Sequence, residues 1–69
     1  MENSLRIARM SSGLTQVQLS AKSDVSVTII NQLERGSRQD VKLSTMLRIS
    51  NALNKPVEDV FSSFFTKQF

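Results

Sequence analysis

The sequence contains no cysteine and no histidine among its 69 residues. No disulfide can therefore staple this short chain, and the usual sets of zinc ligands cannot form. The same absences remove the side chains that most often act as catalytic nucleophiles and bases. We accordingly expect no metal and no cofactor. The fold should be held together by helix packing, by pairing with a second copy, or by both.

Acidic side chains are few and scattered. The chain has six carboxylates, which are Glu2, Asp24, Glu34, Asp40, Glu58 and Asp59. Only Glu58 and Asp59 are adjacent, and neighbouring residues of a helix point in different directions. Because this arrangement does not resemble a catalytic constellation, an enzyme is the least supported function class.

Long apolar runs are absent as well. No run approaches the roughly 18 residues that cross a bilayer, and the first residues, Met-Glu-Asn-Ser, lack the basic and apolar regions of a signal peptide. We expect a cytoplasmic protein that makes no membrane contact. At this length we expect one domain over residues 1–69, with a helical core over 1–61 and an aromatic tail over 62–69.

Basic residues exceed acidic ones, and the formal net charge is +3. The whole excess lies in residues 1–48. A basic cluster with only Asp40 to oppose it consists of Arg35, Arg38, Lys42 and Arg48. Such a cluster suits a polyanionic partner, although a solvated surface would have the same composition.

Two glycines and one proline divide the chain. A first helix over about residues 3–12 should end at Gly13, since glycine commonly follows a helix. The second helix, over about 16–22, has a complete start signal. Thr15 and Gln18 have the spacing of a capping box, and the leucines on either side of Thr15 have the spacing of a hydrophobic staple.

The third helix begins only three residues after the second. Ser26 is a good N-cap, and the helix should end near Arg35, with Gly36 just beyond it. Asp24 tolerates the left-handed conformation that such a tight turn requires. Two capped helices joined by three residues predict a helix-turn-helix.

Two more helices complete an all-α fold class. The fourth is expected over about residues 41–53, with an inward stripe of Leu43, Met46, Leu47, Ser50 and Leu53 that Ile49 widens. The fifth is expected from about Pro56, because proline is favoured in a first helical turn. Its inward residues are Val57, Val60 and Phe61.

The third helix has two distinct faces. Ile30 and Leu33, supported by Ile29, form an apolar face. The opposite face is mostly polar and carries no carboxylate, and it consists of Val27, Thr28, Asn31, Gln32 and Arg35. Amides can bond adenine, valine and threonine can contact a thymine methyl, and arginine can reach guanine or phosphate. The alternative is an ordinary exposed helix face, but such a face usually carries lysine and glutamate.

The chain resembles the Xre family of lambda repressor-like regulators, which includes Cro-type proteins. The resemblance rests on LTQVQLS at residues 14–20, on IINQLERG at 29–36, on LSTMLRI at 43–49 and on VEDVF at 57–61. It covers about residues 5–61. It implies a five-helix lambda-repressor-like domain whose second and third helices form a DNA-binding helix-turn-helix.

The resemblance also implies roles for individual residues. Arg9 and Glu34 match a structural ion pair between the first and third helices. Gln16 matches a glutamine that bonds phosphate and braces the recognition helix. The base-contacting positions match Val27, Thr28, Asn31 and Gln32. The remaining positions expected at phosphates are Ser26, Arg35, Arg38 and Lys42.

Some positions depart from the family pattern. Asp24 replaces the glycine usual in the turn, and Pro56 replaces the usual serine cap of the fifth helix. One extra residue lies between Gly36 and Leu43.

The last nine residues hold all four phenylalanines. They can complete the core of one chain, but four rings are many for so small a domain. Clustered exposed aromatic side chains mark interfaces. We therefore expect a homodimer interface formed by Val57, Phe61, Phe64 and Phe65.

The sequence predicts a transcriptional regulator, more specifically a repressor that binds double-stranded DNA through the major groove at an inverted repeat. The competing class is a protein-interaction module, such as an antitoxin or an anti-regulator, that keeps the fold but uses its phenylalanines to bind another protein. A specific complex in a gel shift distinguishes the two.

Overall fold

The computed structural model describes residues 3–38 and 40–65, the side chain of Phe65 excepted. Six helices occur in those ranges: α1 Ser4–Ser11, α2 Gln16–Ser23, α3 Val27–Arg35, α4 Leu43–Leu53, α5 Val57–Val60 and α6 Ser62–Phe65. The described ranges contain no strand. The all-α fold class is therefore confirmed.

The expected fifth helix is divided into two short helices, α5 and α6. Helix α5 ends at Val60, because the backbone of Phe61 leaves the helical region with φ −112° and ψ 21°. The chain then resumes as α6, where the amide of Phe64 donates to the carbonyl of Phe61 at 2.9 Å. Pro56 is the N-cap residue and supplies no side-chain hydrogen bond.

The starts of α2 and α3 are fixed by their own side chains. Thr15 Oγ1 accepts from the amide of Gln18 at 3.0 Å, and the Gln18 side chain accepts from the amide of Thr15 at 2.8 Å. Ser26 Oγ accepts from the amide of Ile29 at 3.2 Å. Each cap satisfies donors that a helix start otherwise leaves open.

The helix ends require left-handed backbone. Gly36 has φ +77° after α3, and Asp24 has φ 59° after α2. Asparagine and aspartate are the non-glycine residues that adopt this region most readily. The aspartate in the turn is therefore compatible with the helix-turn-helix geometry.

One apolar core joins the helices. Leu5 of α1, Leu19 of α2 and Ile30 of α3 are fully buried in it. The other fully buried apolar side chains are Leu33, Ile49, Val60 and Phe61. The face of α3 that contains Ile30 is thus turned inward, which leaves the opposite face for solvent.

The inward face of α4 agrees with the expected stripe only in part, since Ile49, Ser50 and Leu53 are buried as expected. Leu43 is 62% exposed and Leu47 is 44% exposed. The buried side is centred on Ile49 and Leu53, which lie about a third of a turn around the helix from Leu43 and Leu47 at 3.6 residues per turn. It also includes the small residues Ser50 and Ala52. The prediction was therefore wrong for Leu43 and Leu47, which lie on the solvent side of a helix that contacts α2 and α5.

The start of α1 ties distant parts of the chain together. Asn3 Nδ2 donates to the carbonyls of Leu33 at 2.7 Å and Glu34 at 3.0 Å, so it caps the end of α3. Ser4 Oγ donates to the carbonyl of Val60 at 2.7 Å and accepts from the amide of Ser63 at 3.1 Å. The end of α3 and the α5–α6 segment are therefore both anchored on α1. In the described part of the chain, every helix is too short or too polar to cross a membrane.

Candidate nucleic-acid interface

The outer face of α3 presents the predicted reading residues together. Val27 and Thr28 are exposed on its first turn, and Asn31 and Gln32 are half-buried one turn later. Residues three and four apart on a helix are neighbours on its surface. The four side chains therefore form one surface, which we call the α3 stripe.

Asn31 is oriented by a neighbour on α2. Its Nδ2 donates to Gln16 Oε1 at 3.3 Å, and Gln16 Nε2 in turn donates to Glu34 Oε1 at 3.2 Å. Arg35 makes a long contact of 3.5 Å to Asn31 Oδ1. Because Gln16 accepts from Asn31 and donates to Glu34, the start of α2 is linked to α3 by two hydrogen bonds.

Glu34 is the hub of this network, and it is buried. Arg9 Nε lies 2.6 Å from Glu34 Oε2, and Arg9 Nη2 lies 3.0 Å from Oε1. The third donor of Arg9, Nη1, reaches the carbonyl of Leu14 at 2.7 Å. The side chains of Arg9 and Glu34 are only 12% and 3% exposed. The hydrogen bond to Glu34 raises the pKa of Arg9 above its ordinary value, so the guanidinium stays charged.

Gln32 has a partner that the sequence did not reveal. Arg38 Nε donates to Gln32 Oε1 at 2.8 Å, and the Arg38 side chain is half-buried. Arg38 was expected only at a phosphate. A six-residue separation across a glycine turn has no helical period, so no sequence pattern indicated this pair.

The remaining residues expected at phosphates are exposed, with one exception. Ser26, Arg35 and Lys42 are all exposed, whereas Gln16 is half-buried. Lys42 is the N-cap residue of α4 and makes no side-chain cap hydrogen bond. The nearby acid Asp40 is also exposed. The positive charges are thus on the surface and available to a polyanion.

The predicted dimer residues do not all reach the surface. Phe61 is completely buried in the core of a single chain, so its side chain offers no area to a second copy. The prediction that Phe61 belongs to the dimer interface is therefore wrong. Val57 and Phe64 are half-buried against the core, and the Phe61 and Phe64 rings lie 5.2 Å apart. The Phe65 side chain and Phe69 lie outside the described residues.

The described residues contain no group of three or more aspartate, glutamate, histidine or cysteine side chains able to hold a metal ion. The arrangement around α3 instead consists of donors and acceptors facing solvent, framed by positive charge. A short capped helix, a left-handed turn and a second helix with an exposed polar face define a DNA-binding helix-turn-helix domain.

Comparison with known families agrees with the geometry. A helix-turn-helix family model matches residues 5–60. The chain therefore belongs to the Xre, lambda repressor-like helix-turn-helix family, whose members are DNA-binding transcription regulators and typically not enzymes. The resemblance found from the sequence motifs is confirmed. No curated protein matches the chain.

Proposed function

We propose that the protein is a sequence-specific transcriptional repressor that binds an inverted-repeat operator as a homodimer. The observation that carries the proposal is the α3 stripe, which consists of Val27, Thr28, Asn31 and Gln32. The stripe has hydrogen-bonding amides, a hydroxyl and methyl groups but no charge. These groups match the edges of bases in the major groove, where amides, hydroxyls and methyl contacts distinguish the base pairs.

Phosphate contacts supply affinity and set the register of the stripe. Arg35, at the end of α3, and Lys42, at the start of α4, are exposed cations. The hydroxyl of Ser26 accepts a cap bond from Ile29, which leaves its proton for a phosphate oxygen. Gln16 uses one hydrogen of Nε2 on Glu34, so the other is left for a phosphate.

Two copies are proposed to pair through the α5–α6 surface. Val57 and Phe64 expose part of their apolar area there, and Phe65 belongs to the same segment. A two-fold dimer uses one patch on both subunits and presents two recognition helices about 34 Å apart, one DNA turn. The operator is therefore proposed to be an inverted repeat.

Sedimentation equilibrium tests the dimer. At micromolar concentration we expect a monomer–dimer equilibrium for the native chain. Replacing Phe64 and Phe65 by serine should shift it to monomer, because the variant loses the apolar area that pairing buries. A native chain that is purely monomeric, and unchanged in the variant, would contradict the tail dimer.

Repression needs only occupancy of the operator. A domain that binds DNA tightly over a promoter excludes polymerase without a further contact. Transcription in vitro from a promoter that overlaps the selected operator should fall as the protein is added, and should stay constant when the operator is moved well upstream. Stimulation from the upstream position would instead indicate an activator.

Binding measurements on the α3 stripe test the proposal for DNA recognition. Asn31→Ala should weaken binding to the preferred duplex by about 5- to 150-fold, corresponding to roughly 1–3 kcal/mol for a lost base contact. Binding to unrelated duplexes should change little, because phosphate contacts provide it.

Asn51→Ala is the matched control, since Asn51 is an exposed asparagine of α4. Its affinity for the preferred duplex should equal that of the native chain. Fluorescence anisotropy with labelled duplexes measures the affinity of each variant for the preferred duplex and for unrelated duplexes. Equal losses on preferred and unrelated DNA for Asn31→Ala would show that α3 does not read bases there.

A further inference from the structure

We propose that Arg38 is a specificity-determining positioning residue that holds the Gln32 amide as a hydrogen-bond donor. The half-site position under Gln32 then favours guanine over adenine. This inference rests on the proposed DNA-binding function and goes beyond it, because it assigns a base preference and a residue that sets it.

The contact fixes which end of the amide faces the DNA. Arginine has donors and no acceptor, so the atom that receives Arg38 Nε at 2.8 Å must be the Gln32 carbonyl oxygen. The orientation therefore does not depend on distinguishing oxygen from nitrogen in the side chain. A charged donor also makes this bond stronger than one between neutral groups.

The loop that carries Arg38 is itself attached to Gln32. The amide of Ser37 donates to the Gln32 backbone carbonyl at 3.1 Å, and Ser37 Oγ donates to the same oxygen at 3.3 Å. Gly36 makes the reversal possible with its φ of +77°. Arg38 is thus held beside Gln32 by the backbone as well as by its own side chain.

This orientation selects among bases. A glutamine bonds adenine bidentately by accepting from N6 and donating to N7. In this protein the bond to Arg38 takes one of the two lone pairs of the accepting oxygen and holds that oxygen toward the loop after α3, while the Nε2 hydrogens remain for DNA. Guanine presents two acceptors, N7 and O6, and no donor on the same edge. The fixed donor therefore suits guanine.

Arg38 can still contact the DNA backbone. The bond to Gln32 uses Nε, which leaves the two terminal nitrogens of the guanidinium for a phosphate. Loss of Arg38 should consequently have two separable effects, a general loss of affinity and a change in preference at one position.

Four duplexes that differ only at the Gln32 position test the inference. That position is the one where Gln32→Ala removes discrimination in a binding selection. The native chain should prefer guanine over adenine by about tenfold, within the usual range for one base contact. Arg38→Ala should lower this ratio at least about fivefold, because the freed amide can then bond adenine bidentately.

Lys42→Ala is the matched control for loss of a positive charge at the backbone. It should weaken binding to all four duplexes by the same factor and leave the ratio unchanged. If Arg38→Ala behaved in the same way, Arg38 would be a phosphate contact only, and the inference would be overturned. A native chain with no base preference at any position would overturn the proposed function itself.

A measurement on the free protein distinguishes failure of the inference about Arg38 from failure of the proposed DNA-binding function. The side-chain amide resonances of Gln32 should shift in Arg38→Ala and stay in place in Lys42→Ala. Unchanged Gln32 resonances in Arg38→Ala would show that the pair does not form in solution, and would overturn the inference whatever DNA the native chain prefers.

Discussion

Replacing Phe61 by alanine should lower the free energy of unfolding by about 3–5 kcal/mol. Phe61 is the largest side chain that the core buries completely. Its removal costs the transfer of an aromatic ring to water and leaves a cavity that the surrounding helices fill only in part. A chain of 69 residues has a total stability of roughly 3–10 kcal/mol, so this single substitution should remove about a third of that stability or more.

Urea denaturation followed by circular dichroism measures this effect. Phe64→Ala is the matched control, because Phe64 is half-buried and packs against the Phe61 ring. Phe64→Ala should lower the free energy of unfolding clearly less than Phe61→Ala does, since less of the Phe64 side chain leaves water on folding. Equal losses for the two variants would show that Phe61 is not a core residue of the single chain.

Replacing Glu34 by alanine should cost a similar amount, about 3–5 kcal/mol, because it leaves the Arg9 guanidinium buried without its partner. The variant also removes the acceptor for Gln16. DNA affinity of the remaining folded protein should therefore fall as well, since Gln16 would no longer be oriented against Asn31. Denaturation and anisotropy on the same sample report the two effects.

Glu58→Ala is the control for loss of a carboxylate, because Glu58 lies exposed in the first turn of α5. It should change stability by no more than about 0.5 kcal/mol. A double variant, Arg9→Met with Glu34→Leu, should recover much of the stability lost in Glu34→Ala, since no unpaired buried charge remains. A double variant as unstable as the single one would contradict the pairing argument.

The starts of the recognition elements could be predicted because they are local. Thr15, Gln18 and Ser26 bond to amides within a few residues, so their spacing alone identifies the starts of α2 and α3. Glycines with left-handed backbone mark the ends of helices for the same reason. The division of α3 into an inner and an outer face follows from its period.

Other features depend on contacts that no local pattern contains. Leu43 and Leu47 are exposed because α4 turns Ile49 and Leu53 toward its neighbours, and the identity of the packed face depends on the partner helix. Asn3 caps α3 from about thirty residues away in sequence. The bond from Arg38 to Gln32 crosses a turn whose geometry the sequence does not specify in detail.

These contacts prepare the site before DNA is present. Asn31 and Gln32 are each held by a hydrogen bond, to Gln16 and to Arg38 respectively. Side chains that are already ordered lose less entropy on binding, which favours affinity and a defined base preference. In the proposed complex, Arg9 and Glu34 thus support recognition through Gln16 without touching DNA themselves.

Selection of bound duplexes from a random pool tests the central claim, recognition of DNA bases by the α3 stripe, most directly. The native chain should enrich an inverted repeat whose half-site centres lie about 10 base pairs apart. Gln32→Ala, selected in parallel, should lose base preference at one position of each half-site and keep the rest. A pool that stays random with the native chain, or an enriched motif that no substitution in the α3 stripe alters, would contradict the account.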